Sequence, residues 1–370
     1  MNFVRARPAR NDAPVRVLLA CGLMLAAGLG ACAGPGYYLQ AVSGHWQLMR
    51  SREDVATLLT DPGLDPQLRG RLELAAEVVA FAAEALDLPA DGSYAQYAAT
   101  GREAVVWNVV AAPEFSLEPR KWCFPIAGCV PYRGYFDRDQ AGHAARRLAA
   151  RGDDVAVVAA IAYSTLGWFH DPLLDTMLAH PDAQLAGILV HELAHQRLYL
   201  RGDAAFNEAY ARFVERRGVA RWLERTGQAQ ALEEWRARLA AADQFQALLR
   251  SARDALERLY ALDIDPEERR AAKRSRLDRL HADYAELRSE EWQGRDDFGA
   301  WFAAPVNNAR LALLSDYEGG HCAFSALLQQ AGGDFARFNR LAETRAALAE
   351  TERRAWLETP CHVIASDPDL

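Results

Sequence analysis

Three residues near the middle of the chain have the types and the spacing for hydrolytic chemistry. His191, Glu192 and His195 form the pattern H-E-x-x-H inside the apolar run 187–200. A spacing of four residues places both imidazoles on one face of a helix, one turn apart, and neutral imidazole is a good zinc ligand. Glu192 lies beside the pair, where it can take a proton from a water molecule held by the metal.

The same three residues also have a purely structural interpretation, in which two satisfied histidines and a solvent-facing glutamate lie on an ordinary helix. The bare pattern occurs by chance in unrelated chains, so it is moderate evidence when taken alone. The apolar surroundings favour the metal, because buried polar groups are costly unless they have partners. A zinc ion would be such a partner.

A hydrolytic zinc site needs a third protein ligand and an open fourth position. A turn at residues 201–203 separates the motif from a second helical pattern that contains Glu208, thirteen positions after His195. Two antiparallel helices joined at this turn would bring Glu208 back to the histidines, with Asp203 and Glu215 as alternative ligands. The predicted site binds one Zn²⁺ per chain, with three ligands and one general base: His191, His195, Glu208 and Glu192.

The N-terminal segment has the pattern of a secretory signal. Four arginines lie within residues 1–16, and residues 17–31 are apolar but too short to span a bilayer comfortably. The sequence Leu-Gly-Ala-Cys at 29–32 resembles the lipobox of bacterial lipoproteins, which implies that Cys32 becomes a lipidated N terminus. Because alanine rather than aspartate follows Cys32, the resemblance implies an outer-membrane lipoprotein that faces the periplasm. An ordinary signal peptide or an uncleaved anchor is the alternative.

Four cysteines remain after the signal segment and Cys32 are set aside. An even number in an oxidising compartment indicates disulfides, and three pairings are possible. Pairing of Cys123 with Cys129 is favoured because the five residues between them can form a tight loop, and Cys322 then pairs with Cys361. Four free thiols are the alternative.

The hydrophobic pattern predicts an α+β fold that is mostly helical. Helices are predicted over 37–60, 65–87, 138–151, 183–200, 204–225, 307–330 and 334–358, and strands over 104–110, 130–136 and 155–162. Residues 228–295 are rich in Ala, Leu, Glu and Arg and contain almost no glycine. They predict two long antiparallel helices with a break at 263–266.

Several segments together resemble known peptidases. The N-E-x-x-A sequence at 207–211 resembles the third-ligand helix of zinc peptidases of the thermolysin and alanyl-aminopeptidase kind, although the spacing from the histidines is shorter here. Five segments resemble a family of predicted bacterial aminopeptidases that are often lipoproteins: 36–40, 164–172, 191–196, 206–215 and 307–309. The resemblance implies a gluzincin-like site and a zincin-like core. It implies a zinc peptidase more strongly than an aminopeptidase, because the activity in that family's name is itself mostly inferred from H-E-x-x-H.

These patterns and the resemblance together divide the chain into regions. These are a signal peptide at 1–31, a zincin-like catalytic region at 32–227, an inserted helical hairpin at 228–295 and a C-terminal helical region at 296–370 that completes the catalytic unit. Residues 164–169 are either a strand that pairs with substrate or a plain core strand. Tyr317 is a candidate oxyanion donor, although a partly buried structural tyrosine is the more ordinary interpretation. Glu318 and Asp171 are both candidates for binding a substrate α-amine.

Composition removes several other classes of function. With 51% hydrophobic and 25% charged residues, the chain is not globally disordered, and a net charge of −8 disfavours general nucleic-acid binding. Neither a G-x-S-x-G elbow nor a Walker A loop is present. The sequence therefore predicts a zinc-dependent peptidase that acts on peptides and is held at a membrane by its N-terminal lipid, and the family resemblance implies an aminopeptidase.

The alternative is a non-catalytic periplasmic lipoprotein that has a structural zinc site or a chaperone-like assembly role. Structural zinc sites are usually closed by four protein ligands. A fourth ligand from Asp203 or His170 would therefore favour this alternative.

Overall fold

The computed structural model describes residues 35–90, 92–124, 128–162, 171–292, 294–313 and 319–361. Within these ranges the fold is α+β and mostly helical, as predicted. The helices are α1 Pro35–Arg50, α2 Val55–Thr60, α3 Pro66–Leu86, α4 Arg138–Ala149, α5 Asp175–Leu178, α6 Asp182–Arg197, α7 Ala204–Arg225, α8 Ala229–Tyr260, α9 Pro266–Glu290, α10 Gly299–Phe302, α11 Asn308–Ala312, α12 His321–Gln330, α13 Phe335–Ala346 and α14 Glu350–Leu357. The strands are β1 Arg52–Asp54, β2 Gln96–Ala98, β3 Val106–Pro113, β4 Trp122–Phe124, β5 Gly128–Val130, β6 Arg133–Tyr135, β7 Asp153–Ala160 and β8 Leu173–Leu174.

The described strands form three small sheets. One has the order β1-β2-β8, with β2 antiparallel to β1 and parallel to β8. Another has the antiparallel order β6-β3-β7, and it pairs Val106 with Ala160 at one end and Pro113 with Asp153 at the other. The third is the hairpin β4-β5, in which Cys123 lies opposite Cys129 and is joined to it by a disulfide.

The prediction of one continuous helix over 37–60 is wrong. The helix is interrupted by β1, because Arg52–Asp54 pairs with β2, a segment more than forty residues away. Asp54 then caps α2, since its Oδ1 accepts a hydrogen bond from the Thr57 amide at 2.8 Å. The predicted strand at 130–136 is likewise two strands, because β5 pairs with β4 whereas β6 pairs with β3.

The main hydrophobic core lies between α3, α6, α7, α12 and α13. Trp222, Tyr210, Phe213, Phe324 and Phe338 are among its largest fully buried side chains. Helix α6 packs between α3 and α7 and is therefore buried on most of its surface. A disulfide between Cys322 and Cys361 links α12 to the chain that follows α14.

The two long helices α8 and α9 pack against each other, in the part of the chain for which a hairpin is predicted. Asp265 caps α9 at the predicted break, and Pro266 occupies its first turn. The pair has its own core around Phe245, Leu249 and Tyr284. Among the described helices, none is both long and apolar enough to cross a membrane.

Candidate metal centre

Helix α6 carries the H-E-x-x-H motif into the interior of the protein. Leu185, Leu189 and Leu193 recur at helical spacing and are fully buried, and this apolar surface fixes the rotation of the helix about its axis. His191 and His195 lie one turn apart, with their ring centroids 4.8 Å from each other. The helix therefore presents both imidazoles toward α7.

The turn between α6 and α7 is fixed by its own hydrogen bonds. Gly202 has φ +88°, a left-handed conformation that favours glycine. Asn207 is buried, and its side-chain amide both accepts from the Leu200 amide and donates to the Leu200 carbonyl, each at 2.8 Å. Because Asn207 directly precedes Glu208, these bonds also set the position of Glu208 relative to α6.

Asp203, an alternative ligand in the sequence, has a different role. Its Oδ1 accepts from the Phe206 amide at 3.0 Å and caps α7, while its Oδ2 forms an ion pair with Arg353 at 2.7 Å. Both oxygens are thus used at the start of the helix. The expectation that Asp203 could ligate the metal is not met by this geometry.

The structure brings His191, His195 and Glu208 together, with one potential ligand atom of each within 4.8 Å of the others. The two Nε2 atoms lie 3.1 Å apart, and each lies 3.4 Å from one of the two Glu208 carboxylate oxygens. In a tetrahedral zinc site with bonds of about 2.0–2.1 Å, neighbouring ligand atoms are about 3.3 Å apart. The spacing of the three residues therefore fits a zinc-sized cation.

The chemistry of the three side chains, like their spacing, suits a metal ion. Their side chains are only 19%, 8% and 22% exposed for His191, His195 and Glu208 respectively. Two imidazole nitrogens that face each other at 3.1 Å need a proton or a metal ion between them, because two facing lone pairs would repel. A metal ion satisfies both nitrogens and the carboxylate at once, so this donor set suits a divalent cation.

Glu215, the other alternative ligand, contacts the opposite side of His191. Its Oε2 lies 3.0 Å from His191 Nδ1, whereas Nε2 of the same ring faces Glu208. Glu215 follows Glu208 by seven residues, which places both on one face of α7, two turns apart. A Cβ at Gly187 would lie 3.2 Å from Glu215 Oε1, so the glycine on α6 leaves room for this carboxylate.

The charges of the cluster are strongly coupled in the protein without metal. Burial acts to lower the pKa of His191, but its hydrogen bonds with Glu208 and Glu215 outweigh burial and raise the pKa to about 10. Burial acts to raise the pKa of Glu208, but hydrogen bonds from His191 and His195 lower it to about 2. A proton on His191 therefore occupies the place that a metal ion would take.

Glu192 lies next to these three candidate ligands but has a different electrostatic environment. Burial and the negative charges of Glu208 and Asp171 raise the pKa of Glu192, while the charges of His191 and His195 oppose this rise. A carboxylate with a raised pKa is a stronger base than an ordinary glutamate. Its position next to the ligand cluster suits it to proton transfer.

A second polar cluster lies near enough to Glu192 to interact with its charge, and except for Asp171 its residues were not predicted from the sequence. Tyr94 is buried with φ +61°, and its amide donates to the Asp171 carbonyl at 2.8 Å. Burial and the charges of Glu192 and Asp171 raise the pKa of the Tyr94 hydroxyl. Gln196 donates from Nε2 to Asp171 Oδ2 at 3.4 Å and accepts from Ser93 at 2.9 Å. Asp171 is thus held inside the protein, 1% exposed.

Several predicted residues lie outside the described part of the chain. They are Cys32, His170, Tyr317, Glu318 and the segment 164–169. The four cysteines that follow Cys32 form the two disulfides already described, which lie away from the histidine motif in sequence.

A family model described as putative aminopeptidase matches residues 36–357. The match spans well over half of the chain, so the chain belongs to this family. The family description supports a peptidase. None of the curated proteins and none of the solved structures matches the chain.

Proposed function

We propose that this member of the putative aminopeptidase family is a zinc-dependent peptidase with a zincin-like, gluzincin-type core. His191, His195 and Glu208 would hold one zinc ion, and Glu192 would act as the general base. The observation that carries the proposal is the convergence of three ligand atoms within 4.8 Å. When bound, zinc would polarise the scissile carbonyl and lower the pKa of the attacking water.

The protein side chains supply the proton transfers. Glu192 takes a proton from the water and passes it to the leaving amine when the peptide bond breaks. Burial is the largest cause of the raised pKa of Glu192, and this raised pKa suits the residue both to accept the proton from water and to donate it to the amine. Glu215 accepts a hydrogen bond from His191 Nδ1–H, which leaves the Nε2 lone pair directed at the ligand cluster.

The number of ligands favours a catalytic site over a structural one. Among the described residues, three groups converge, and Asp203 is committed to the α7 cap and to Arg353. Glu215 contacts the far nitrogen of His191 rather than the cluster itself. A site with three protein ligands keeps a position for water and substrate, which a closed structural site does not.

The family description favours removal of N-terminal residues over internal cleavage. A direct comparison would use one peptide with a free α-amine and the same peptide acetylated at its N terminus. Aminopeptidase activity predicts cleavage of the free peptide only. Equal cleavage of both peptides would assign endopeptidase activity to the same site.

We also propose that the chain is an outer-membrane lipoprotein that faces the periplasm, anchored through Cys32. The lipobox-like sequence at 29–32 supports this proposal. Mass spectrometry of the mature N terminus would detect diacylglycerol on Cys32. An unmodified N terminus at another residue would refute the anchor.

The test of the metal site is zinc content by mass spectrometry for the purified mature chain and its Glu208→Ala variant. Glu224→Ala is a matched control, because Glu224 lies on the same helix and pairs with Arg236 at the surface. We expect about one zinc per chain in the wild type and control, and a large loss in Glu208→Ala. Zinc retained by Glu208→Ala would mean that the third ligand is wrong. Absence of zinc from all three proteins after reconstitution would refute the proposal.

A further inference from the structure

Helix α1 exposes an apolar stripe to solvent. Leu39, Val42 and Trp46 follow one another at spacings of three and four residues and are 71%, 68% and 61% exposed. At these spacings the three side chains share one helical face. From Pro35 to Met49 the helix contains no Asp, Glu, Lys or Arg, and Arg50 closes it with its guanidinium over the Trp46 ring. Such a face is typical of a helix that lies in a membrane interface.

A basic cleft of about 540 Å³ lies against the beginning of this helix. Arg133 and Arg147 line it together with Tyr37, Tyr135 and His143, and its described lining contains no carboxylate. The Arg133 guanidinium stacks over the Tyr37 ring at 4.3 Å from its centroid, which holds the cation at the mouth of the cleft. Two guanidinium groups without a carboxylate suit the phosphate of an anionic lipid.

The position of α1 in the chain places both features near a membrane. The first residue of α1 follows Cys32, the proposed lipid anchor, by three positions. A segment of this length spans at most about 10 Å when fully extended. With that anchor in place, the start of the helix would be held within about 10 Å of the lipidated residue, and Gly36 and Tyr37 of the same helix line the cleft.

We propose that α1 lies in the bilayer surface, with Leu39, Val42 and Trp46 in the interface and Arg133 and Arg147 on anionic lipid phosphates. A bilayer fits this face better than a second copy of the chain. A stable dimer buries about 800 Å² on each partner, far more than three side chains supply. This docking would fix which face of the molecule meets the membrane, and it is independent of the peptidase proposal.

The experiment measures whether Trp46 reaches the lipid. The full mature chain is reconstituted in vesicles of phosphatidylethanolamine and phosphatidylglycerol that carry bromine on their acyl chains, which quenches nearby tryptophans. The fluorescence difference between the wild type and Trp46→Phe isolates Trp46 from the other tryptophans. We expect loss of most of this difference signal in brominated vesicles. The signal from Trp301, isolated in the same way with Trp301→Phe, should be unchanged.

Two double variants, each with a control, test the apolar stripe of α1 and the basic cleft separately. Leu39→Ser with Val42→Ser should restore Trp46 fluorescence, whereas Leu262→Ser, at another exposed leucine outside α1, should not. Arg133→Gln with Arg147→Gln should lower quenching in anionic vesicles to its level in phosphatidylcholine vesicles, and Arg258→Gln on α8 should have no effect.

Two results would overturn the proposal. One is unquenched Trp46 in wild-type chains that float with the vesicles, because the stripe would then face away from the lipid. The other is a dimer in detergent that shields Trp46 from aqueous quencher, because the occupant would then be a second copy.

Discussion

Replacement of Glu215 by alanine tests whether this residue positions a metal ligand or is one itself. In the structure its carboxylate accepts from His191 Nδ1 at 3.0 Å and does not lie among the three converging ligand atoms. The substitution removes the partner that fixes the ring orientation and tautomer of His191, while all three ligands remain. The expected result is weaker zinc binding rather than loss of the site.

The contacts of Glu215 indicate how much zinc affinity the alanine variant should lose. Loss of a group that orients a metal-bound histidine typically lowers metal affinity by about 10–100-fold, which corresponds to about 1.4–2.7 kcal/mol. Glu215 is 26% exposed, so water can replace part of the lost hydrogen bond, and we expect the lower half of this range. Glu215→Gln should lose less than alanine, because the amide oxygen can still accept from Nδ1–H.

The assay is competition for zinc with a chromogenic chelator, followed by kcat and KM at saturating zinc. Because the alanine variant keeps all three ligands, zinc-saturated protein should retain most of its kcat. Glu224→Ala, on the same helix, controls for the loss of a carboxylate from α7. The positioning role is refuted if Glu215→Ala binds zinc as tightly as the wild type. It is equally refuted if the variant loses zinc as completely as Glu208→Ala, since Glu215 would then be a ligand.

Three further predictions follow from the same site. Glu192→Gln should keep its zinc content but lose about 10²–10⁴-fold in turnover, and substantial residual activity would reject the general-base role. In metal-free protein, the raised pKa of His191 contributes to the free energy of unfolding; this contribution is fully present below about pH 6.5 and is lost as the pH rises toward 10. The lowered pKa of Glu208 makes a second contribution, which is fully present above about pH 4.5 and is lost as the pH falls toward 2. Urea unfolding after chelator treatment should therefore show the combined contribution of His191 and Glu208 at its maximum between pH 4.5 and 6.5. Zinc affinity should rise about tenfold per pH unit near neutrality, because His191 must release its proton before it can bind the metal. Gly187→Ala should weaken zinc binding without removing any polar group, because the new Cβ would lie 3.2 Å from Glu215 Oε1; unchanged affinity would show that this carboxylate can shift without consequence.

The sequence determined the ligand cluster because its geometry is almost entirely local. A spacing of four residues on α6 places two imidazoles on one face, and a short turn with a left-handed glycine returns α7 to that face. The same local geometry predicts Glu208 as the third ligand, and the structure places its carboxylate 3.4 Å from each histidine Nε2. The mostly helical α+β fold was also predictable, since the segment that forms α8 and α9 is rich in Ala, Leu, Glu and Arg and contains almost no glycine.

The choice among the acidic residues near the site required the tertiary structure. Asp203, Glu208 and Glu215 lie within thirteen residues, and helical phase alone allows both glutamates to face α6. The packing distance between α6 and α7 decides that Glu208 reaches the Nε2 side of the histidines and that Glu215 reaches the Nδ1 side of His191. Arg353, 150 residues farther along the chain, holds Asp203 at the helix cap.

Contacts between distant segments account for what the sequence did not predict. The helix predicted over 37–60 is broken because β1 pairs with β2, and local propensity contains no information about that partner. The polar cluster around Glu192 joins Tyr94 to Asp171 and Gln196, which are about eighty and one hundred residues away in the chain. Helical and turn geometry depends on neighbouring residues and can be read from their order, whereas strand pairing and buried polar networks depend on which remote groups the folded core brings within reach.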